Sequence, residues 1–182
     1  MEIQYVKRYE MIFDFSKSNL LSTVLPENFH WIPWHLSLCN IHGRVKYLSF
    51  RHEIDAEIFP TFTRYDSCVR LMQTIAMKPE FLPGTTWMIG HRVDNGPLDY
   101  CATIQGLRKS RILGAIQNVA VIPNYRKLGL GHALVSKCLY GFQEAGCQLV
   151  TLEVTVENGI AIRLYSELGF KITRTVYKEV FR

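Results

Sequence analysis

The stretch Gly114-Ala-Ile-Gln-Asn-Val-Ala-Val-Ile-Pro-Asn-Tyr-Arg-Lys-Leu-Gly-Leu-Gly-His-Ala133 decides how this chain is read. Its first half holds an apolar run, Ile116 with Val119 to Ile122, that stops at Pro123 and Asn124, which do not easily continue a ladder. Its second half, Arg126-Lys-Leu-Gly-Leu-Gly131, opens at once into a helix-period pattern of Leu130, Ala133, Leu134, Cys138 and Phe142. The stretch is therefore a buried strand, a tight turn and a helix start. Two glycines at the junction let the backbone approach a ligand closely and point several N–H groups the same way. The helix start adds unpaired N–H groups and the positive end of its dipole, an anion site suited to phosphate.

Downstream, the helix runs to about Ala145, with Gly146 in the position of a C-terminal stop. Gln148 to Val156, rich in Val, Leu and Thr, reads as a strand. Residues 114–156 then form a right-handed βαβ unit with parallel strands, whose ligands sit outside the strands' carboxyl ends. Asn158 to Leu168 is a helix with Ala161, Leu164, Tyr165 and Leu168 on one stripe, and Phe170 to Tyr177 a strand, with room for one more after it.

Upstream, Ile3, Tyr5, Tyr9, Met11, Phe13 and Phe15 alternate with polar residues, the pattern of a half-buried strand. Phe29 to Trp34 is the next strand. Residues 1–27 are expected to be an N-terminal extension, its strand added at the edge beside 29–34. Residues 35–58 read as helical with a break near Gly43 and an apolar face of Leu36, Val45, Leu48, Ile54 and Ile58. A further helix runs from an N-cap at Asp66 to about Met77. Thr85 to Ile89 and Tyr100 to Gly106 are strands joined through the turn Asp94-Asn-Gly-Pro97.

At 182 residues, with 48% hydrophobic and 20% charged residues, the chain suits one domain with a substantial core. No run approaches the ~20 apolar residues of a membrane span. The five cysteines form no CxxC pair and have no histidines at ligand spacing, so no metal is expected. Their odd number and the absence of a secretory leader point to free thiols in a reducing cytoplasm. The net charge of +5 favours anionic ligands, and no basic run or motif points to nucleic acid.

The segment Arg126-x-x-Gly129-x-Gly131 resembles the acetyl-CoA-binding motif of the GNAT (Gcn5-related N-acetyltransferase) superfamily, Arg/Gln-x-x-Gly-x-Gly/Ala. A second block, Leu152-Glu-Val-Thr-Val-Glu-Asn158 followed by Ala161-Ile-Arg-Leu-Tyr-Ser-Glu-Leu-Gly-Phe170, is similar in order and spacing, and the resemblance is specific over 114–175. It implies an α/β (α+β) domain spanning 1–182, with helices on both faces of a mixed, mostly antiparallel sheet. The central parallel βαβ unit would have splayed strands and hold the acetyl-CoA-binding core, 114–175.

Carried over to this chain, Val119 and Val121 would offer main-chain groups to pantetheine, while Lys127, Leu128, Gly129, Leu130, Gly131 and His132 would supply N–H groups to the pyrophosphate. An N–H near Val119 would also polarise the thioester carbonyl. Arg126 and Lys127 could pair with phosphates or form a solvated basic turn. Asn158 is an N-cap or a partner of the pantetheine amides. Tyr165 matches the position whose phenol meets the CoA sulfur, and core packing is its other reading.

The implied activity is acetyl-CoA-dependent acetylation of an amine, and a small polar molecule fits better than a peptide N-terminus where no docking surface is legible. A non-catalytic acyl-CoA sensor is the alternative, and a homodimer is common in the family. The acceptor must lose a proton, yet residues 114–121 hold no carboxylate; Gln117 and Asn118 can only orient water. Glu53, Asp55, Glu57, Glu80, His91 and Glu153 are the remaining candidates, none preferred.

Overall fold

The computed structural model describes residues 3–181. In chain order its elements are β1 (Ile3–Asp14), β2 (Phe29–Pro33), α1 (Cys39–Phe50), α2 (Ile54–Ile58), α3 (Tyr65–Ala76), β3 (Trp87–His91), β4 (Asp99–Arg108), β5 (Leu113–Val121), α4 (Leu130–Glu144), β6 (Leu149–Thr155), α5 (Gly159–Glu167) and β7 (Lys171–Phe181). The strands form one seven-stranded sheet, ordered β2-β3-β4-β5-β6-β1-β7, in which only β5 and β6 are parallel neighbours.

The helices cover both faces. Leu130, Leu134, Cys138 and Phe142 of α4 pack on Ile89, Ala102, Ile104, Ile116 and Val150. Across the sheet, Cys39 of α1 and Met72 and Ile75 of α3 close on Leu107. Gly43 does not break α1: a Cβ there would lie 2.7 Å from the Val69 Cα, so the glycine serves the close approach of α1 to α3. The inward face of α1 is also more polar than expected, because His42, Lys46 and Ser49 are buried with Val45 while Leu36, 72% exposed, precedes the helix. Asp66 lies in the first turn of α3, whose N-cap is Arg64. β7 continues to Phe181 as one strand.

The N-terminal strand exists but not at the expected edge. β1 lies inside the sheet between β6 and β7, at the far side from β2. The reason lies in β6. Its pairing with β5 is confined to Leu113↔Leu149, Gly114↔Val150 and Ala115↔Thr151, after which the two strands diverge. β1 pairs with β6 along its whole length, from Asp14↔Leu149 to Arg8↔Thr155. Met11 and Phe13 then fill the core, Phe13 meeting Phe170 at 5.5 Å.

Candidate active site

A bulge starts the opening. Gln105 faces Asn118 and Gly106 faces Ile116, so Gln117 is the extra residue of β5. Past it, β5 and β6 part and leave a wedge through the sheet. Val121 C=O accepts a hydrogen bond from Arg126 Nε (3.1 Å), whereas Ile122 N–H donates to Cys101 C=O of β4 (2.9 Å). The Val121 backbone therefore faces away from β4, and strand alternation turns Val119 the same way, towards the wedge. The Val119 and Val121 side chains pack against the main core, and this packing leaves their outward-facing backbone groups free of β4.

At the end of the wedge the chain turns into α4. Lys127 (φ 62°) and Gly129 (φ 78°) are both left-handed, and Gly129 is the N-cap, with no side chain capping the helix. The N–H groups of Leu130, Gly131 and His132 thus begin the helix without intrahelical partners. A Cβ at Gly129 would meet nothing within 4 Å, so the space before the helix is open. Leu128 is exposed there as well. The turn and the uncapped helix start together form an open cradle of N–H donors at the positive end of α4. Arg126 acts differently from its neighbours: its guanidinium pairs with Glu53 (2.6 Å) and donates to Ser49 C=O (2.9 Å), stapling the cradle loop to the end of α1.

The wedge opens on the α1 side of the sheet into a cleft of about 570 Å³. Asn158 is the N-cap residue of α5, with Oδ1 accepting from Ala161 N–H (3.1 Å), and it lines the cleft as well. Tyr165 lies in the core against Phe170 and also lines the cleft. Burial, then the charge of Asp55, push its phenol well above the ordinary range, with Arg8 acting in the opposite direction. At neutral pH it is a protonated donor.

Sequence reasoning missed the residues that β1 brings to this cleft. Arg8 and Glu10 line it. Arg8 donates to Glu153 C=O (3.0 Å), lies 3.6 Å from its carboxylate, and sits over the Phe59 ring. Glu10 pairs with Arg174 (2.8 Å). Asp55 of α2 was one candidate among six, and the fold brings it to the cleft wall with Thr155 Oγ1 at 3.5 Å. Burial raises its carboxyl, opposed by Arg8 and Thr155 and assisted by Glu53. Glu153 is in the cleft too, with its carboxylate beside Arg8, while Glu53 is held by Arg126.

A second omission lies beneath Asn118. Lys46 of α1 is fully buried and forms no ion pair among the described residues; its Nζ donates to Asn118 Oδ1 (2.6 Å) and to Gln105 Oε1. Gln105 Nε2 donates to Thr103 Oγ1 (2.6 Å), whose own hydroxyl is left to donate to His42 Nδ1 (2.7 Å). Burial pushes Lys46 down to about 7, the Cys68 and Cys39 thiols acting weakly against it. Burial and Lys46 together push His42 down to about 3. A polar stripe at His42, Lys46 and Ser49 was the available signal, but i, i+4 spacing does not say which side of a helix faces inward.

The model of the acetyltransferase (GNAT) family matches residues 57–170, more than half of the chain. The chain belongs to that family. It is 36% identical over 72 residues to N-alpha-acetyltransferase MAK3 of Arabidopsis thaliana, across 40% of this chain and 38% of that protein. It is 42% identical over 53 residues to the [ribosomal protein bS18]-alanine N-acetyltransferase of Escherichia coli strain K12, across 29% of this chain and 36% of that one. The chain thus spans less than two-fifths of either curated relative. A GCN5-related N-acetyltransferase from Sphaerobacter thermophilus has the same fold, with a TM-score of 0.68 at 19% identity, covering 97% of this chain and 53% of that structure. Among the described residues no group of three or more His, Cys, Asp or Glu is arranged to hold a metal ion, and no helix is long and apolar enough to cross a membrane.

Proposed function

We propose that this chain is an acetyl-CoA-dependent N-acetyltransferase whose acceptor is the free amine of a peptide N-terminus. The observation that carries the reading is the wedge between β5 and β6, with an open phosphate cradle at one end and a cleft holding Tyr165 and Asp55 at the other. One relative is named for acetylating an alpha-amine and the other for acetylating an alanine of a ribosomal protein, which favours a peptide over a small amine. The five buried, free cysteines suit a reducing cytoplasm.

Acetyl-CoA would be held by the N–H groups of Lys127 to His132 at its pyrophosphate and by the free backbone of Val119 and Val121 along its pantetheine arm. When bound, it supplies the thioester whose acetyl group is transferred. The acceptor arrives as an ammonium and must give up one proton to expose its lone pair. Asp55 takes that proton: burial raises its carboxyl despite the nearby Arg8, whereas Glu153 and Glu10 are held in ion pairs with Arg8 and Arg174. Tyr165 gives its proton to the departing sulfur. The second proton shed by the acceptor nitrogen, once it has bonded to the acetyl carbon, restores the phenol.

The test is thiol release from acetyl-CoA across peptide N-termini, amino acids and small amines, beside calorimetric titration of CoA and acetyl-CoA. Release dependent on peptide supports the reading in full. Release with small amines alone corrects the acceptor class. Binding without any release points to a non-catalytic acyl-CoA sensor, and absence of binding removes the cradle assignment.

A further inference from the structure

We propose that the Asn118 side chain is a donor to the acetyl carbonyl oxygen of the bound thioester, and that the buried Lys46 ammonium is the positioning residue that aims and polarises it. The inference rests on the acetyl-CoA reading and deepens it.

The argument starts from hydrogen-bond direction. An ammonium has donors and no acceptor, so whatever Lys46 touches must offer oxygen. It touches two amides, Asn118 (Nζ to Oδ1, 2.6 Å) and Gln105. Each amide is therefore oriented with its oxygen on Lys46 and its NH₂ on the opposite side. For Gln105 that opposite side is occupied: Nε2 donates to Thr103 Oγ1 at 2.6 Å. For Asn118 it is the cleft, which Asn118 lines next to Val119. The bulge at Gln117 makes this possible by turning Asn118 onto the α1 face while Val119 keeps its side chain in the opposite core.

Energetics say why the arrangement is more than packing. A lysine with no carboxylate partner, fully buried, is costly, and an aliphatic side chain of the same length would fill the volume without that cost. What the lysine adds, below about pH 7 where it keeps its proton, is a charge directly behind one end of a planar amide. Hydrogen bonds in such a chain polarise one another, so the Asn118 N–H is a stronger donor than an isolated amide. The oxygen it faces gains negative charge as the acceptor nitrogen bonds to the carbonyl carbon and the C=O electron pair moves onto oxygen. A donor fixed in advance within a low-dielectric site is most effective there. The Val119 backbone N–H, turned towards the same wedge, is the neighbouring donor.

Asn118→Asp separates this role from a structural one. It keeps shape and gives Lys46 its missing counter-ion, so the thermal midpoint should rise. It also replaces the NH₂ group with an oxygen that repels a carbonyl. Calorimetry at about pH 6, where Lys46 keeps its proton, reads CoA and acetyl-CoA affinities separately for wild-type protein, Asn118→Asp and Lys46→Met and needs no acceptor. Loss of about tenfold in acetyl-CoA affinity with CoA affinity unchanged is the result expected for Asn118→Asp. Isotope-edited infrared spectra of ¹³C-carbonyl acetyl-CoA bound to each protein should show the carbonyl band moving to higher frequency in both variants.

An Asn118→Asp protein that treats both ligands as wild type does, with the carbonyl band in place, overturns the proposal and leaves the acetyl-CoA reading intact. Equal weakening of both ligands also overturns it, because Asn118 then acts on the cradle or the fold. If wild-type protein binds neither ligand, both readings fall together.

Discussion

In the proposed reaction, Tyr165 and Asp55 would derive their chemistry from burial. The phenol is buried against Phe170, which keeps it protonated, while burial also raises the Asp55 carboxyl that lines the same cleft. Tyr165→Phe should lower kcat for peptide acetylation by 10- to 100-fold, and Asp55→Asn by about 100-fold or more. In both variants the calorimetric Kd for acetyl-CoA should stay near wild type; a parallel loss of affinity would make either residue part of the binding site. Lys46 carries a prediction about stability. Its ammonium is at about 7 in the fold and near its ordinary 10.5 once unfolded. Between those values the unfolded chain holds a proton that the folded chain has lost, so stability rises with pH. Relative to Lys46→Met, the wild-type protein should gain up to ~1.4 kcal/mol per pH unit from about pH 7 to 10 in denaturant titrations. Parallel stability profiles would show that Lys46 keeps its charge.

At the scale of elements, the cradle depends on two consecutive features, a left-handed turn and an uncapped helix start. Gly129→Glu brings bulk and negative charge to the open side of α4, and strains a backbone held at φ 78°. CoA affinity should fall at least tenfold while the far-UV spectrum is retained. Gly43→Ala probes the opposite face. Its new Cβ would meet the Val69 backbone, which cannot swing away as a side-chain end could. A loss of 1–3 kcal/mol in a denaturant titration is expected, by the logic of overpacking. The elements of 114–175 were legible because their periodicities are strong and end in clear stops, Gly146 at φ 81° and Gly169 at φ 102°. Residues 35–58 were legible as helical, but not their break or inward face, because the buried stripe of α1 is polar and its glycine reads as a breaker when seen without α3.

At the scale of the molecule, the N-terminal strand is structural and contributes to the site at once. Among the described residues it is the only strand paired with β6 beyond the point where β5 leaves, and its outer side carries β7. Removing residues 1–15 should abolish cooperative thermal unfolding rather than trim an appendage. A truncated protein that still melts cooperatively and binds acetyl-CoA would mean that β7 had closed onto β6 in its place.

The sequence by itself determined the local pieces: the strand that ends at Pro123, the cradle at Gly129, the helix that carries Tyr165, and through them the family. Those follow from short-range patterns, in which backbone preference and apolar spacing act within a few residues. Only the tertiary structure decided which edge β1 joins, which carboxylates share the cleft with the phenol, and that a lysine lies under Asn118. Strand pairing, burial and electrostatic partnership are relations between residues such as Arg8, Asp55 and Glu153 that lie far apart in the chain. Nothing in the composition around any one of them specifies the other two.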